Sequence, residues 1–281
     1  MNFKEKIEMK KLIALLLVLV MAISLAACAS NEPAETEAPV QETEAPAETE
    51  APVEETEAPV EDTVKVMTYA EFAAAELETE VVVETYVQTI ESWWNDQCHI
   101  YAASEDGGYY IYGYTCTQEE ADKLVPGAKI RVTGYKGAWA GEVEIMDATI
   151  EILEGSYIAT ATDVTDVAAL GAADLEAYMN ALVAINGMTV APSTDANGNE
   201  VAFLYKWDGS GSQGDDLYFK VAIGEQVYTF TINAYMIGTG ADSDVYKAVE
   251  ALNVGDKINV EGFLYWYEGP QTHVTNVTIA E

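Results

Sequence analysis

Histidine, cysteine and positive charge are scarce in this 281-residue chain. It has two His, three Cys, and 13 Lys+Arg against 48 Asp+Glu, for a formal net charge of −35. Two imidazoles and so few thiols leave little material for zinc sites or Cys/His catalysis. The acidic balance repels phosphate backbones, so nucleic acid is disfavoured as a partner on charge alone. No Gly-x-Ser-x-Gly elbow, His-Glu-x-x-His helix or phosphate loop is present, which removes the commonest catalytic signatures. Long apolar runs are missing too. The longest, Leu12 to Ser24, has 13 residues, whereas a bilayer span needs about 20.

That short run follows a Lys-rich start (Lys4, Lys6, Lys10, Lys11) and ends in Leu25-Ala26-Ala27-Cys28. Basic start, apolar core and small residues before a cysteine together resemble the lipobox signal peptide of bacterial surface lipoproteins. The resemblance implies a signal peptide over residues 1–27 and a diacylglyceryl anchor on Cys28. It places the mature protein on the outer face of the cytoplasmic membrane, at the cell surface. Residues 28–63 then form a stalk in which Glu-Thr-Glu-Ala-Pro recurs four times, ending at Pro39, Pro46, Pro52 and Pro59. With no base, no aromatic residue and regular prolines, such a segment is expected to stay disordered and extended.

The remainder reads as a tandem duplication. Leu124-Val-Pro-Gly-Ala-Lys-Ile-Arg-Val-Thr-Gly-Tyr135 matches Leu252-Asn-Val-Gly-Asp-Lys-Ile-Asn-Val-Glu-Gly-Phe263 at six of twelve positions. Asp147 to Ile150 matches Asn276 to Ile279, and Glu80 to Val87 matches the segment around Ala181 to Met188. The domains are therefore 64–155 and 156–281, the second with an insertion near 192–215. In each copy the order is strand, strand, strand, helix, strand, strand. Thr117-Gln-Glu-Glu120 has capping-box spacing for the first helix, and Pro126-Gly127 ends it.

That order, with the Gly-x-Lys-Ile-x-Val-x-Gly fourth strand, resembles the OB-fold, a five-stranded Greek-key barrel with a helix between its third and fourth strands. A pair of immunoglobulin-like sandwiches is the alternative, but it would need about seven strands each and gives the capped helix no role. The fold class is thus mainly β: two tandem OB-fold-like barrels after a disordered acidic stalk.

The resemblance implies a binding surface on strands two and three, flanked by the loops after strands one and four. In the first copy these loops are Trp93 to Asp96 and Lys136 to Gly141, so Trp93, Trp94 and Trp139 flank the surface and Tyr110 and Tyr112 lie on it. In the second copy Trp207 stands in the insertion, and Trp266 and Tyr267 in the later loop. Aromatic faces in loops suit sugar rings, bases or peptide side chains. The expected function is a lipid-anchored, non-catalytic surface protein binding a glycan, peptide or protein partner, with no cofactor and no metal. Single-stranded nucleic-acid binding, or service to a surface nuclease, is one alternative; a glycoside-hydrolase-type enzyme is another. Cys98 and Cys116 end one hairpin and are read either as a cross-strand disulfide or as two buried thiols. His99 and His273 read as structural or exposed.

Overall fold

The computed structural model describes residues 65–280. The described residues form one compact unit. The expectations for the signal peptide, for Cys28 and for the stalk fall outside the described residues. Among those residues, no helix is long and apolar enough to cross a membrane.

The first barrel consists of β1 (Glu80–Ile90), β2 (Gln97–Ser104), β3 (Gly107–Thr115), β4 (Ala128–Trp139) and β5 (Glu142–Ser156). It closes in the order β1-β2-β3-β5-β4, with β1 hydrogen-bonded to both β2 and β4. Closure leaves no free sheet edge to pair with another chain. Residues of β1 alternate inward and outward, and Val81, Val83 and Val87 fill the interior with Ile100, Ile111, Ile130 and Ile145. Two capping boxes set the short helices: Thr68 with Glu71 starts α1 (Tyr69–Ala74), and Thr117 with Glu120 starts α2 (Gln118–Ala121).

The second barrel repeats this plan with β6 (Leu182–Ala191), β7 (Leu217–Ile223), β8 (Gln226–Ile232), β9 (Lys257–Phe263) and β10 (His273–Ile279). Here β6 pairs with β7 and β9, β7 with β8, β8 with β10, and β10 with β9. The ring β6-β7-β8-β10-β9 therefore has the strand order of the first barrel. Two short helices, α3 (Thr165–Leu170) and α4 (Ala172–Leu175), precede it, and α5 (Asp244–Glu250) crosses between β8 and β9. The repeated fourth-strand segments fall on β4 and β9. Both copies are OB-fold-like barrels, as the element order implied.

Several expectations need correction. Lys136 to Gly141 is not a loop, because β4 runs on to Trp139 and pairs with β5 up to Glu142. Lys136 is buried there, and its Nζ donates to the carbonyls of Phe72 (3.0 Å), Ala73 (2.8 Å) and Ala75 (2.7 Å) at the end of α1. That tie holds α1 against the barrel. The hairpin between β2 and β3 turns on Glu105-Asp106 alone, and a register shift after Cys98 sets that residue opposite Tyr114, not Cys116. Of the two readings of Cys98 and Cys116 the second holds: they are buried free thiols with their sulfurs 3.8 Å apart, too far for a bond.

Candidate ligand-binding cleft

The β2–β3 face of the first barrel, where an OB-fold ligand was expected, is turned toward the second barrel. Tyr101 stacks on Phe263 with ring centroids 4.5 Å apart, and its hydroxyl meets His273 Nδ1 at 2.9 Å. Tyr101, Tyr110, Met236 and Phe263 form a small apolar core of their own between the barrels. Main-chain bonds extend the joint: Ser92 N–H donates to Tyr235 O (2.7 Å) and Ile237 N–H to Ile90 O (2.9 Å). At the other end Glu268 N–H donates to Ala140 O (2.7 Å). A Cβ on Gly108 would lie 2.3 Å from the Asn180 backbone, so this contact admits only glycine.

The joint also buries carboxyl groups. Glu142 is fully buried; its Oε2 accepts from Trp266 N–H (2.7 Å), and burial pushes its carboxyl up to about 8. Glu142 Oε1 and Asn180 Oδ1 have no hydrogen-bond partner. The Asn180 side chain adjoins this carboxyl, while its Nδ2 is given to Val143 O (2.9 Å). A proton held on Glu142 would supply the donor that these two acceptors lack.

Beside the joint opens a cleft of about 480 Å³. The first barrel contributes Glu91, His99, Tyr110, Tyr112 and Trp139. The second contributes Trp207, Asp216, Tyr218, Thr231, Asn233, Tyr265, Tyr267, Gln271 and His273. The mouth is aromatic, with Trp139 56% exposed, Trp207 69%, Tyr112 48% and Tyr267 44%. Trp139 and Tyr267 lean together with ring centroids 5.2 Å apart. The wall is polar and acidic, and no Lys or Arg lies on it. Glu91 Oε1 accepts from Asn233 Nδ2 (2.8 Å) and Tyr110 OH (3.3 Å). Burial first, and the neighbouring Asp216 charge to a lesser degree, lift the Glu91 carboxyl to about 7. Burial also raises Asp216. His99 Nδ1 accepts from Gly113 N–H (3.1 Å), which puts its proton on Nε2 in the neutral ring that burial favours.

Two further cavities share walls with this cleft. One, about 610 Å³, lies on the β7–β8 face of the second barrel and shares Trp207, Tyr218, Tyr267 and Gln271. The other, about 500 Å³, lies at the loop after β1 and shares Glu91 and His99, adding Trp93, Trp94 and Tyr235.

Of the residues expected at a ligand surface, Tyr112, Trp139, Trp207 and Tyr267 meet at the cleft mouth. Trp94 is 73% exposed at the neighbouring cavity. Three are placed differently. Trp266 is buried in the core of the second barrel, its indole against Gly141. Tyr110 is buried in the joint. Trp93 is half-covered, donating Nε1–H to Cys116 O (2.8 Å) as a lid over the first core. The sequence pattern did not single out Glu91, Tyr218, Thr231, Asn233 or Tyr265, and it reads Asp216 only as one of three acids, with Asp208 and Asp215, around a solvated Gly/Ser loop. Glu91 stands just before the Trp93-Trp94 loop and Asp216 directly precedes β7, and these positions are the only signal that pointed to them.

No family model matches the chain, and no curated protein matches it. Solved structures do match in architecture. The Ifi202 HINa domain in complex with 20-bp double-stranded DNA is 12% identical, with a TM-score of 0.33, covering 73% of this chain and 97% of that one. A murine DNA-binding protein bound to double-stranded DNA is 9% identical, with a TM-score of 0.32, over 71% and 96%. A deletion mutant of the single-stranded DNA-binding protein from Thermus aquaticus is 14% identical, with a TM-score of 0.24, over 73% and 96%. What each binds is a property of that protein. One expectation is corrected here: nucleic acid was set aside on net charge, yet chains of similar architecture are described in complex with DNA. It returns as a partner to be tested.

Proposed function

We propose that this chain is a non-catalytic binding protein that grips flat rings in the cleft between its two barrels. We further propose that it is held at the bacterial cell surface by a lipid on Cys28. The basic start, apolar run and Leu25-Ala26-Ala27-Cys28 support the anchor. The observation that carries the binding reading is the grouping of Trp139, Trp207, Tyr112 and Tyr267, all exposed, around one polar cleft. Exposed aromatic faces gathered at a concave, polar-walled site are the usual arrangement for a ligand with both ring faces and hydroxyl or amine groups.

Pyranose rings fit best, since their hydroxyls match Asn233, Gln271 and Thr231 while the wall offers no cation to a phosphate. Single-stranded nucleic acid is the second reading, because the same indole and phenol faces would stack bases. Calorimetric titration with neutral and amino-bearing oligosaccharides, and with single-stranded DNA and RNA at low salt, separates the two. Nucleic-acid binding would weaken steeply as salt rises, and binding of the neutral oligosaccharides would not. Trp139→Ala and Tyr267→Ala are each expected to weaken the bound ligand ~10-fold or more. Unchanged binding in both variants would remove the cleft from consideration.

A further inference from the structure

Glu91 and Asp216 reach the same cleft from different barrels, close enough for the charge of one to act on the other. Each has only part of its carboxylate engaged. Glu91 Oε1 takes Asn233 and Tyr110, and Asp216 Oδ1 takes Ala234 N–H (2.8 Å). The remaining oxygen of each, Glu91 Oε2 and Asp216 Oδ2, has no hydrogen-bond donor among the described residues. Asp215, next in the chain, adds a further negative charge beside Asp216. Two partly buried carboxylates without a cation are costly, and such pairs call for a positive partner.

A third group stands on the same wall. Thr231 is 3% exposed, and its Oγ1 has no hydrogen-bond partner. A buried hydroxyl without a partner is uncommon and calls for an explanation, which a donor atom of a ligand in the cleft would supply. Around these three groups stand the open aromatic faces of Trp139, Trp207 and Tyr267, which attract cations through their ring quadrupoles.

We infer that the cleft recognises a protonated amine on a sugar ring, the ammonium lying between Glu91 and Asp216 with the ring against the aromatic mouth. This rests on the reading of the cleft as the ligand site and deepens it. An ammonium carries three donors and no acceptor. It therefore suits the two free carboxylate oxygens and the Thr231 hydroxyl, while an acetylated nitrogen is neutral and retains a single N–H. A single amine between two acids also accounts for the absence of Lys and Arg from the wall.

The test uses the full-length protein at pH 7 with glucosamine tetramer and N-acetylglucosamine tetramer as paired probes, and a lysine-rich peptide as a third. The amine-bearing tetramer is expected to bind ~10-fold more tightly than the acetylated one. Glu91→Gln and Asp216→Asn, made separately so that one misfolded variant does not decide the matter, are each expected to bring that ratio toward one. Equal or tighter binding of the acetylated tetramer would overturn the ammonium assignment and leave the ring-binding cleft standing. Preference for the lysine peptide over both sugars would overturn the sugar. Failure of every ring-bearing probe, nucleic acid included, would bring down the cleft itself.

Discussion

The two barrels share a strand order and a fourth-strand sequence, yet they use the same face in opposite ways. In the first barrel the β2–β3 face is covered: Tyr101 and Tyr110 are buried against the neighbour. In the second the β7–β8 face stays open, with Lys220 and Val227 exposed and a cavity of about 610 Å³ over it. The loops after the first strands differ as well. The first barrel has a tight turn in which Asn95 and Asp96 take positive φ, and the second has a long insertion that carries Trp207 to the cleft. A fold that ordinarily offers one ligand surface per barrel here offers a joint on one copy and a mouth on the other. One of two equivalent faces is an interface, and the other is free.

Equivalent substitutions on the two faces should therefore have unequal consequences. The largest effect is expected for Tyr101→Ala, which removes a fully buried ring and its bond to His273 and should lower unfolding stability by about 3–5 kcal/mol. Tyr218→Ala, on the open face, should lower it by less than about 1.5 kcal/mol. Chemical denaturation of both variants checks the pair, and equal losses would mean that the first face is no more committed to packing than the second.

Next in size is a pH effect at the joint. The folded Glu142 carboxyl sits near 8, above its ordinary 4.5, so the folded state holds a proton that the unfolded state has released. Its contribution is complete below about pH 4.5 and is lost as pH rises through 8, and Glu91 acts in the same sense through about 7. His273, depressed to about 3, and His99, also depressed, act oppositely, but only below their ordinary 6.5. Between pH 6.5 and 8 the two carboxyls dominate, and the melting temperature should fall. Glu142→Gln keeps an acceptor for Trp266 N–H and supplies a donor without a charge, so it should flatten that fall. At pH 8 it should be worth on the order of 2 kcal/mol relative to wild type. A wild-type melting curve indifferent to pH across this window would contradict the buried acid.

The smallest effect compares aligned positions. Lys136 ties down α1, while its counterpart Leu264 is an ordinary core residue. Lys136→Met leaves three helix-end carbonyls without their donor and should lower stability by about 1–2 kcal/mol, measured by denaturation. Fraying of α1 in hydrogen exchange, with the rest of the barrel unchanged, would locate the loss.

Much of this fold is legible in the amino-acid sequence. The capping boxes at Thr68 and Thr117, the hairpin pattern of Leu217 to Ile232 and the repeat on β4 and β9 are local signals, and each lies where its chemistry placed it. The strand extension to Trp139 is not legible there, because it depends on pairing with β5 and on the buried Lys136, whose partners lie over 60 residues away. The cleft is only half visible. Aromatic loops announce Trp139, Trp207 and Tyr267, but whether an indole points out or in depends on what it meets. Trp266 meets Gly141 and Glu142, across the joint and more than 120 residues distant. Glu91 and Asp216 come from different copies, so no motif could have joined them.

The covered face of the first barrel has a consequence for biosynthesis. The first barrel precedes its neighbour in the chain, so it can close while roughly a hundred residues of the second are still to emerge. In that interval the rings of Tyr101 and Tyr110 stand wet, on a nascent chain with nothing yet to shield them. A product truncated near residue 156 is expected to self-associate through those phenols, and a holding chaperone that takes aromatic surfaces would find its substrate there.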